Sequence, residues 1–457
     1  MSMSDEAASA ADIYDAIIIG GGPTGATAAL SLARRGRRAL VLEKVVHPRF
    51  HVGESFLPAV FKLLRSLGLI EALRELPHIK KFGAEFAMGN SIHYLEIDFS
   101  EGFCDEGETF NIERCHFDAM LLREAGKAGA EVREGVGVKQ ILSLKDGDVQ
   151  VQTDAGIFRG RYLLDASGQA TVVARHLKTR VQDATPHAQK AAYFGHFENV
   201  YRMSGRQAGY LTVVMMDEGW FWLIPITETR TSIGMVIDPD IARQVSREQN
   251  IPADRMLTWG ISHCPEMRKR TKDAVFPETN NVAADFSYRC KPYADEGYFL
   301  IGDSAAFLDP IFSTGVGIGM MDAIEVAKHV DGILAGKISP ARARKKYIAH
   351  HTRATEVFFK FIRQYYDHSF RELFLIGKGP MKMEKAIIGL LAGNIFPRMA
   401  WKMRWRLRLF DFFVWWNRKK QIVPRCRRFS IVKSYMAAAG RPAVPTPAAA
   451  DADAAVV

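Results

Sequence analysis

Cysteine is scarce, with five residues at positions 104, 115, 264, 290 and 426 and no C-x-x-C pair. This spacing excludes a disulfide framework and a cysteine zinc site, so no metal is expected, and the usage fits a reducing cytoplasm. No apolar run is long enough to span a bilayer. The opening residues, MSMSDEAASAAD, are small and acidic and lack the basic and apolar regions of a signal peptide. The expected location is therefore cytoplasmic. Excess positive charge is also missing from most of the chain, although the net charge is +10. Residues 401–430 hold ten Lys and Arg against one acid, Asp411, and the remainder is near neutral. A local patch of this kind does not make a nucleic-acid-binding body.

Hydrophobic residues make up 48% and charged residues 25% of the 457, as in an ordinary globular protein. That length predicts two fused domains or one large domain with a second layer. YDAIIIG is an apolar run closed by glycine, TGATAALSLARRG has helical periodicity, and RALVLEK reads as a second strand. The residues from GVGVKQ to LLDASG read as short strands joined by D-G and A-G turns. Residues 191–284 alternate aromatic and polar side chains, as antiparallel strands do. GYFLIGDSAAFLDP returns to a buried strand and turn, and beyond about residue 320 the pattern is helical. The expected organisation is α/β. A dinucleotide-binding domain takes 13–190 and 285–330, a substrate-facing sheet takes 191–284, and a helical region takes 331–436. Segments 1–12 and 437–457 are expected to be disordered, the latter for its Ala/Pro composition.

Gly20-x-Gly22-x-x-Gly25 lies between the first strand and its helix, with Pro23 inside it. Gly20 permits the tight turn, Gly22 lets the backbone approach a pyrophosphate, and Gly25 lets helix and strand pack closely. Glu43 ends the second strand, where a carboxylate can accept both ribose hydroxyls. Asp165 and Gly168 in YLLDASGQ, with Gly302 and Asp303 in LIGDSAA, point to FAD as the dinucleotide. No second G-x-G-x-x-G for NAD(P)H is present.

Together these motifs resemble the flavoprotein monooxygenase superfamily, which has the p-hydroxybenzoate hydroxylase fold, over residues 14–330. Arg114 matches an arginine that lies near the flavin in that superfamily; its plain alternative is a surface salt bridge. Four further stretches resemble the flavin-dependent halogenases, most closely the branch acting on phenols and pyrroles. They are HVGESFLP, IKKFGAEF, GWFWLIPI and DPIFSTGVGIGM. In that branch a lysine stands two residues before a glycine, which selects Lys81 over Lys80.

The resemblance implies an enzyme that takes FADH2 from a separate flavin reductase and uses O2 and chloride or bromide, with chlorination expected. Its substrate would be a small electron-rich aromatic, free or on an acyl or peptidyl carrier protein, in antibiotic-type biosynthesis. Backbone N–H groups at Ser313, Thr314 and Gly315 can nest a halide. Trp220 and Trp222 can wall the organic substrate from the flavin. Lys81, its pKa lowered in a dry pocket, can hold hypohalous acid or form a haloamine. Tryptophan halogenases carry a glutamate just before the Ser-Thr-Gly triplet, and this chain has Phe312 there. Ring deprotonation would then fall to water, Glu54 or Glu228. Each residue also has a plain reading: Lys81 as a solvated lysine, the tryptophans as core, the triplet as flavin-binding backbone, and Glu54 as a structural acid.

The rivals on the same scaffold are an FAD-dependent aromatic hydroxylase and a geranylgeranyl-reductase-like oxidoreductase. A non-enzyme rival is a flavin-binding interaction protein acting through WKMRWRLRLFDFFVWWNRKK. As a helix, that segment places Trp401, Trp405, Leu409, Phe412, Phe413 and Trp416 near one side. It is expected to dock an acidic carrier protein, to touch a membrane peripherally through 401–428, or to form a core helix with a solvated basic face.

Overall fold

The computed structural model describes residues 13–183, 189–284, 287–307, 309–396 and 398–438. The expected disordered segment 1–12 lies outside them. So does 437–457, except for its first two residues, which end the helix Ile431–Ala438.

The strand Ile13–Ile19 pairs in parallel with Ala39–Glu43 on one side and Gly156–Asp165 on the other. Ala16, Ile17 and Ile18 are fully buried, as a parallel strand covered on both faces must be. Glu131–Glu134 extends one edge, and Tyr298–Leu300 joins beyond Gly156–Asp165. The sheet thus draws on distant parts of the chain. The strands Gln140–Lys145 and Asp148–Thr153 fold back on Gly156–Asp165 as an antiparallel meander. The helix Pro23–Ala33 packs its small residues against the helices Arg114–Lys127 and Gly315–Leu334.

A seven-stranded sheet forms the second layer, in the order Asn281–Ala283, Ala191–Glu198, Arg230–Ile237, Gly219–Pro225, Leu211–Met215, Gly83–Met88, His93–Asp98. It corrects the sequence reading twice. Two of its strands, Gly83–Met88 and His93–Asp98, come from the segment assigned to the dinucleotide domain; the first runs parallel to Leu211–Met215 with Ala84 opposite Leu211. Local patterning carries no signal for so distant a partner. In addition, 191–284 is not all strand, because it includes the helices Pro239–Gln249, Met256–His263 and Pro265–Arg270. Their start signals are local: two begin with proline, and the Asp238 carboxylate accepts from the Asp240 N–H.

Two small sheets, one pairing Ile79–Lys81 with Thr109–Asn111, lie beside these, and the later part of the chain is mainly helical: Pro340–Tyr365, His368–Leu375, Met383–Leu391 and Trp401–Lys420. The last of these buries Met403, Phe410, Val414 and Asn417, with Phe410 set edge-on against Phe370 at 5.3 Å. Of the six residues read as one side of this helix, Trp401 (71%), Phe412 (48%) and Trp416 (38%) are exposed, while Trp405, Leu409 and Phe413 are half-buried.

Candidate active site

A cleft of about 570 Å³ opens at the carboxyl ends of the parallel strands, where open α/β sheets bind ligands. Gly20 has φ +102°, and a Cβ there would sit 2.5 Å from the Ala166 carbonyl oxygen. A Cβ on Gly25 would lie 1.9 Å from the Gly20 carbonyl oxygen. At Gly22 the space is open, with Arg49 Nη2 nearest at 3.5 Å. Pro23 occupies the first helical position, so the free N–H groups of that turn belong to the residues after it. Glu43 is buried and accepts from the Gly21 and Val45 N–H groups at 2.6 and 3.0 Å.

These features fit a dinucleotide. Arg49 also lines the cleft, and its Nη1 is buried with no hydrogen-bond partner among the described residues, as suits a cation facing a pyrophosphate. Sequence reasoning missed Arg49, because a lone arginine after a strand carries no motif.

Arg114 is buried rather than part of a surface salt bridge. It makes two hydrogen bonds to the Asp118 carboxylate, at 2.7 and 2.9 Å, and donates to the Val52 carbonyl at 3.0 Å. Asp303 lines the cleft, and burial pushes its carboxyl up to about 6 against the opposing pull of Arg114. Gly302 packs against Thr24 and Gly319, and Gly168 lines the cleft with φ +62°. The Asp165 carboxylate turns away from the cleft and accepts from the Ser167 and Val173 N–H groups. It shapes the turn that lines the cleft.

A smaller cavity of about 160 Å³ adjoins the cleft and shares Arg114, Asp303 and Gly315 with it. Its opposite wall is the seven-stranded sheet. Trp220 and Trp222 stand two apart on one strand and so share a face; both line the cavity, 2% and 5% exposed, with ring centroids 5.8 Å apart. Each indole is tied, Trp222 Nε1 donating to Ser232 Oγ and Trp220 Nε1 to the Tyr366 hydroxyl, both at 3.2 Å. The Tyr366 hydroxyl in turn donates to Asp309. The Trp222 ring lies over Gly234, where an added Cβ would come within 2.2 Å of it.

Lys80 and Lys81 have opposite fates on the strand Ile79–Lys81. Lys80 points outward and pairs with Glu108 at 3.3 Å, 65% exposed. Lys81 is 1% exposed. Its Nζ donates to Ser55 Oγ at 2.8 Å and the Phe56 carbonyl at 3.2 Å and sits 5.4 Å from the centre of the Phe99 ring. No carboxylate joins it among the described residues, and burial lowers its pKa to about 7. Ser55 lines the cavity and Lys81 does not, so the amine stands one hydrogen bond behind the wall. Ser55 lies inside HVGESFLP, yet only the folded chain reveals its contact with Lys81.

Ser313, Thr314 and Gly315 also line this cavity. Ser313 has φ +54°, and Thr314 caps the helix Gly315–Leu334. The unpaired N–H groups of that helix's first turn, with the positive end of its dipole, favour an anion. Phe312 turns into the helical core against Phe361 and Tyr365.

The acids considered for ring deprotonation lie elsewhere. Glu228 is exposed on the hairpin after Pro225. Glu54 is buried behind the wall, 2.7 Å from His196 Nε2, and does not line the cavity. The carboxylates that do line it are Asp303 and Asp309.

An FAD binding domain family model matches residues 13–357. The 1H-pyrrole-2-carbonyl-(peptidyl-carrier protein) chlorinase of Pseudomonas fluorescens is 32% identical, covering 70% of this chain and 77% of that one. The tryptophan 2-halogenase of Chondromyces crocatus is 31% identical over 72% of this chain, and the match spans 63% of that enzyme's length. Among solved structures, the flavin-dependent brominase Bmp2 superposes with a TM-score of 0.78 at 28% identity, covering 89% of this chain and all of that one. The chain belongs to the flavin-dependent halogenases. In such an oxidoreductase the larger cleft would hold FAD, and the smaller cavity beside it is lined on its far side by Trp220 and Trp222.

Proposed function

We propose that the chain is an FADH2- and O2-dependent halogenase that delivers electrophilic halogen through Lys81 to an electron-rich phenol or pyrrole. Bound reduced flavin, with O2, supplies the oxidant that converts halide into hypohalous acid. The chain's own residues then do four things. The Ser313–Gly315 turn holds chloride or bromide beside the flavin site. The tied indoles of Trp220 and Trp222 fill the space through which a ring would otherwise reach the oxidant. Ser55 and Phe56 orient the Lys81 amine, whose pKa of about 7 leaves free amine at neutral pH. Arg114 and Asp303, on the wall shared by both spaces, hold opposite charges where cleft and cavity meet.

The observation that carries this reading is a lysine buried with no acid beside it among the described residues, one hydrogen bond from a cavity lined by two indoles. A structural lysine gains nothing there, since desolvating an unpaired ammonium is unfavourable. The FADH2 would come from a separate flavin reductase. The names of the pyrrole-carbonyl relatives support a carrier-tethered aromatic as one substrate class, and a chlorinase and a brominase both stand among the similar proteins.

The test is mass spectrometry of the purified chain with FADH2, O2 and chloride or bromide, against free phenols and carrier-bound pyrroles. Product with the halogen isotope pattern is expected. Hydroxylated product without halogen would replace this reading with that of an aromatic hydroxylase.

A further inference from the structure

The helix Trp401–Lys420 presents to solvent the face opposite its buried stripe. At about 3.6 residues per turn, Met403, Phe410, Val414 and Asn417 form the inner stripe. Trp401, Trp405, Arg408, Phe412, Trp416 and Lys419 then lie diametrically outward, with Trp415 beside them. Four of these rings are substantially exposed: Trp401 71%, Trp415 53%, Phe412 48% and Trp416 38%. Arg404, Arg408, Lys419 and Lys420 make no ion pair among the described residues. The helix's one acid, Asp411, turns aside to Lys360 and Gln364. The result is a stripe about 30 Å long of bare indole and phenyl rings flanked by unpaired cations. Exposed aromatic rings clustered on one face and rimmed by charge mark an interaction surface.

We infer that this face lies flat on an anionic lipid surface. The rings suit the boundary between headgroups and acyl chains, where the apolar body of an indole is buried and its N–H stays wet. The cations suit lipid phosphates, and a bilayer needs no shape complementary to a convex helix. An acidic protein would answer the charges but leave the rings in water unless it offered a long apolar groove. No helix among the described residues is long and apolar enough to cross a membrane, so the contact is peripheral.

Deleting the segment would be a poor test, because residues just beyond it are built into the fold. The Phe429 carbonyl accepts from the Asp217 N–H, and Ser430 and Ile431 donate to the Glu218 carboxylate. The experiment uses point variants of the FAD-loaded full chain and vesicle flotation, with phosphatidylcholine alone or mixed with phosphatidylglycerol. The wild type is expected to float with mixed vesicles, not neutral ones, and to be released as salt rises from about 0.1 M to about 1 M. Trp401→Ser, Phe412→Ser, Trp415→Ser and Trp416→Ser combined should abolish flotation while FAD stays bound. Each of Arg404→Gln, Arg408→Gln and Lys419→Gln should weaken binding about fivefold. The inference is overturned if the wild type stays with the soluble fraction, if neutral vesicles bind it equally, or if the serine variant floats like the wild type. Loss in that variant of binding to an acidic carrier protein, with no vesicle binding by the wild type, would also overturn it. No outcome depends on halogenation, so this inference and the catalytic reading can fail separately.

Discussion

Burying an ammonium without a carboxylate is unfavourable, and Lys81 carries that penalty. Burial lowers its pKa from the ordinary lysine value of 10.5 to about 7. Below about pH 7 the group is charged in both states, and the folded chain bears the full cost of burial. Between 7 and 10.5 the unfolded chain binds the extra proton, so folding stability rises with pH across that window. Lys81→Met should therefore stabilise the fold most at about pH 6, by an amount on the order of a few kcal/mol, and lose the advantage as the pH climbs. Thermal melts of both proteins from pH 6 to 9.5 would show it. An equal gain at every pH would mean that Lys81 is not desolvated in solution. The choice of Lys81 over Lys80 was legible only through the resemblance to a lysine-before-glycine pattern. Burial supplies the physical reason, because alternation on a short strand sends one side chain inward and its neighbour outward.

The indole wall is a property of the element as well as of its two residues. The strand Gly219–Pro225 can hold both rings flat because its neighbour Arg230–Ile237 offers Gly234 directly opposite Trp222. Gly234→Ala would place a methyl within 2.2 Å of the ring, forcing the indole out of register. The expected effects are a loss of about 1–3 kcal/mol in stability and a shift of the product balance from halogenation towards peroxide release, read by denaturation and by peroxide assay. Unchanged values in both would remove Trp222 from the wall. The W-x-W spacing revealed the shared face, and the glycine turn with Glu43 revealed the cleft. The glycine beneath the ring, the Trp220–Tyr366–Asp309 tie and Arg49 were not legible, since each depends on a contact between distant segments. Asp165 shows the opposite limit: a carboxylate at a strand end matches a cofactor motif, yet its oxygens are taken by two backbone N–H groups.

At the scale of the whole molecule, a sheet with a parallel centre and a mainly antiparallel sheet, drawn from interleaved parts of the chain, meet across one connected space. The parallel half could be read from buried runs and glycine turns. The second sheet could be read only in part, because Gly83–Met88 reaches it by pairing with Leu211–Met215. The helical region keeps its periodicity, but which face of Trp401–Lys420 turns inward is decided by packing between distant segments, with Phe410 set against Phe370. The account of the site converges on Lys81, and one comparison tests it: wild type against Lys81→Ala, each given FADH2, O2 and halide with an accepted aromatic, measuring O2 consumption and halogenated product together. The account predicts that the variant keeps FAD and O2 consumption while halogenated product falls by about 10²–10⁴-fold. Product persisting at the wild-type rate would contradict it.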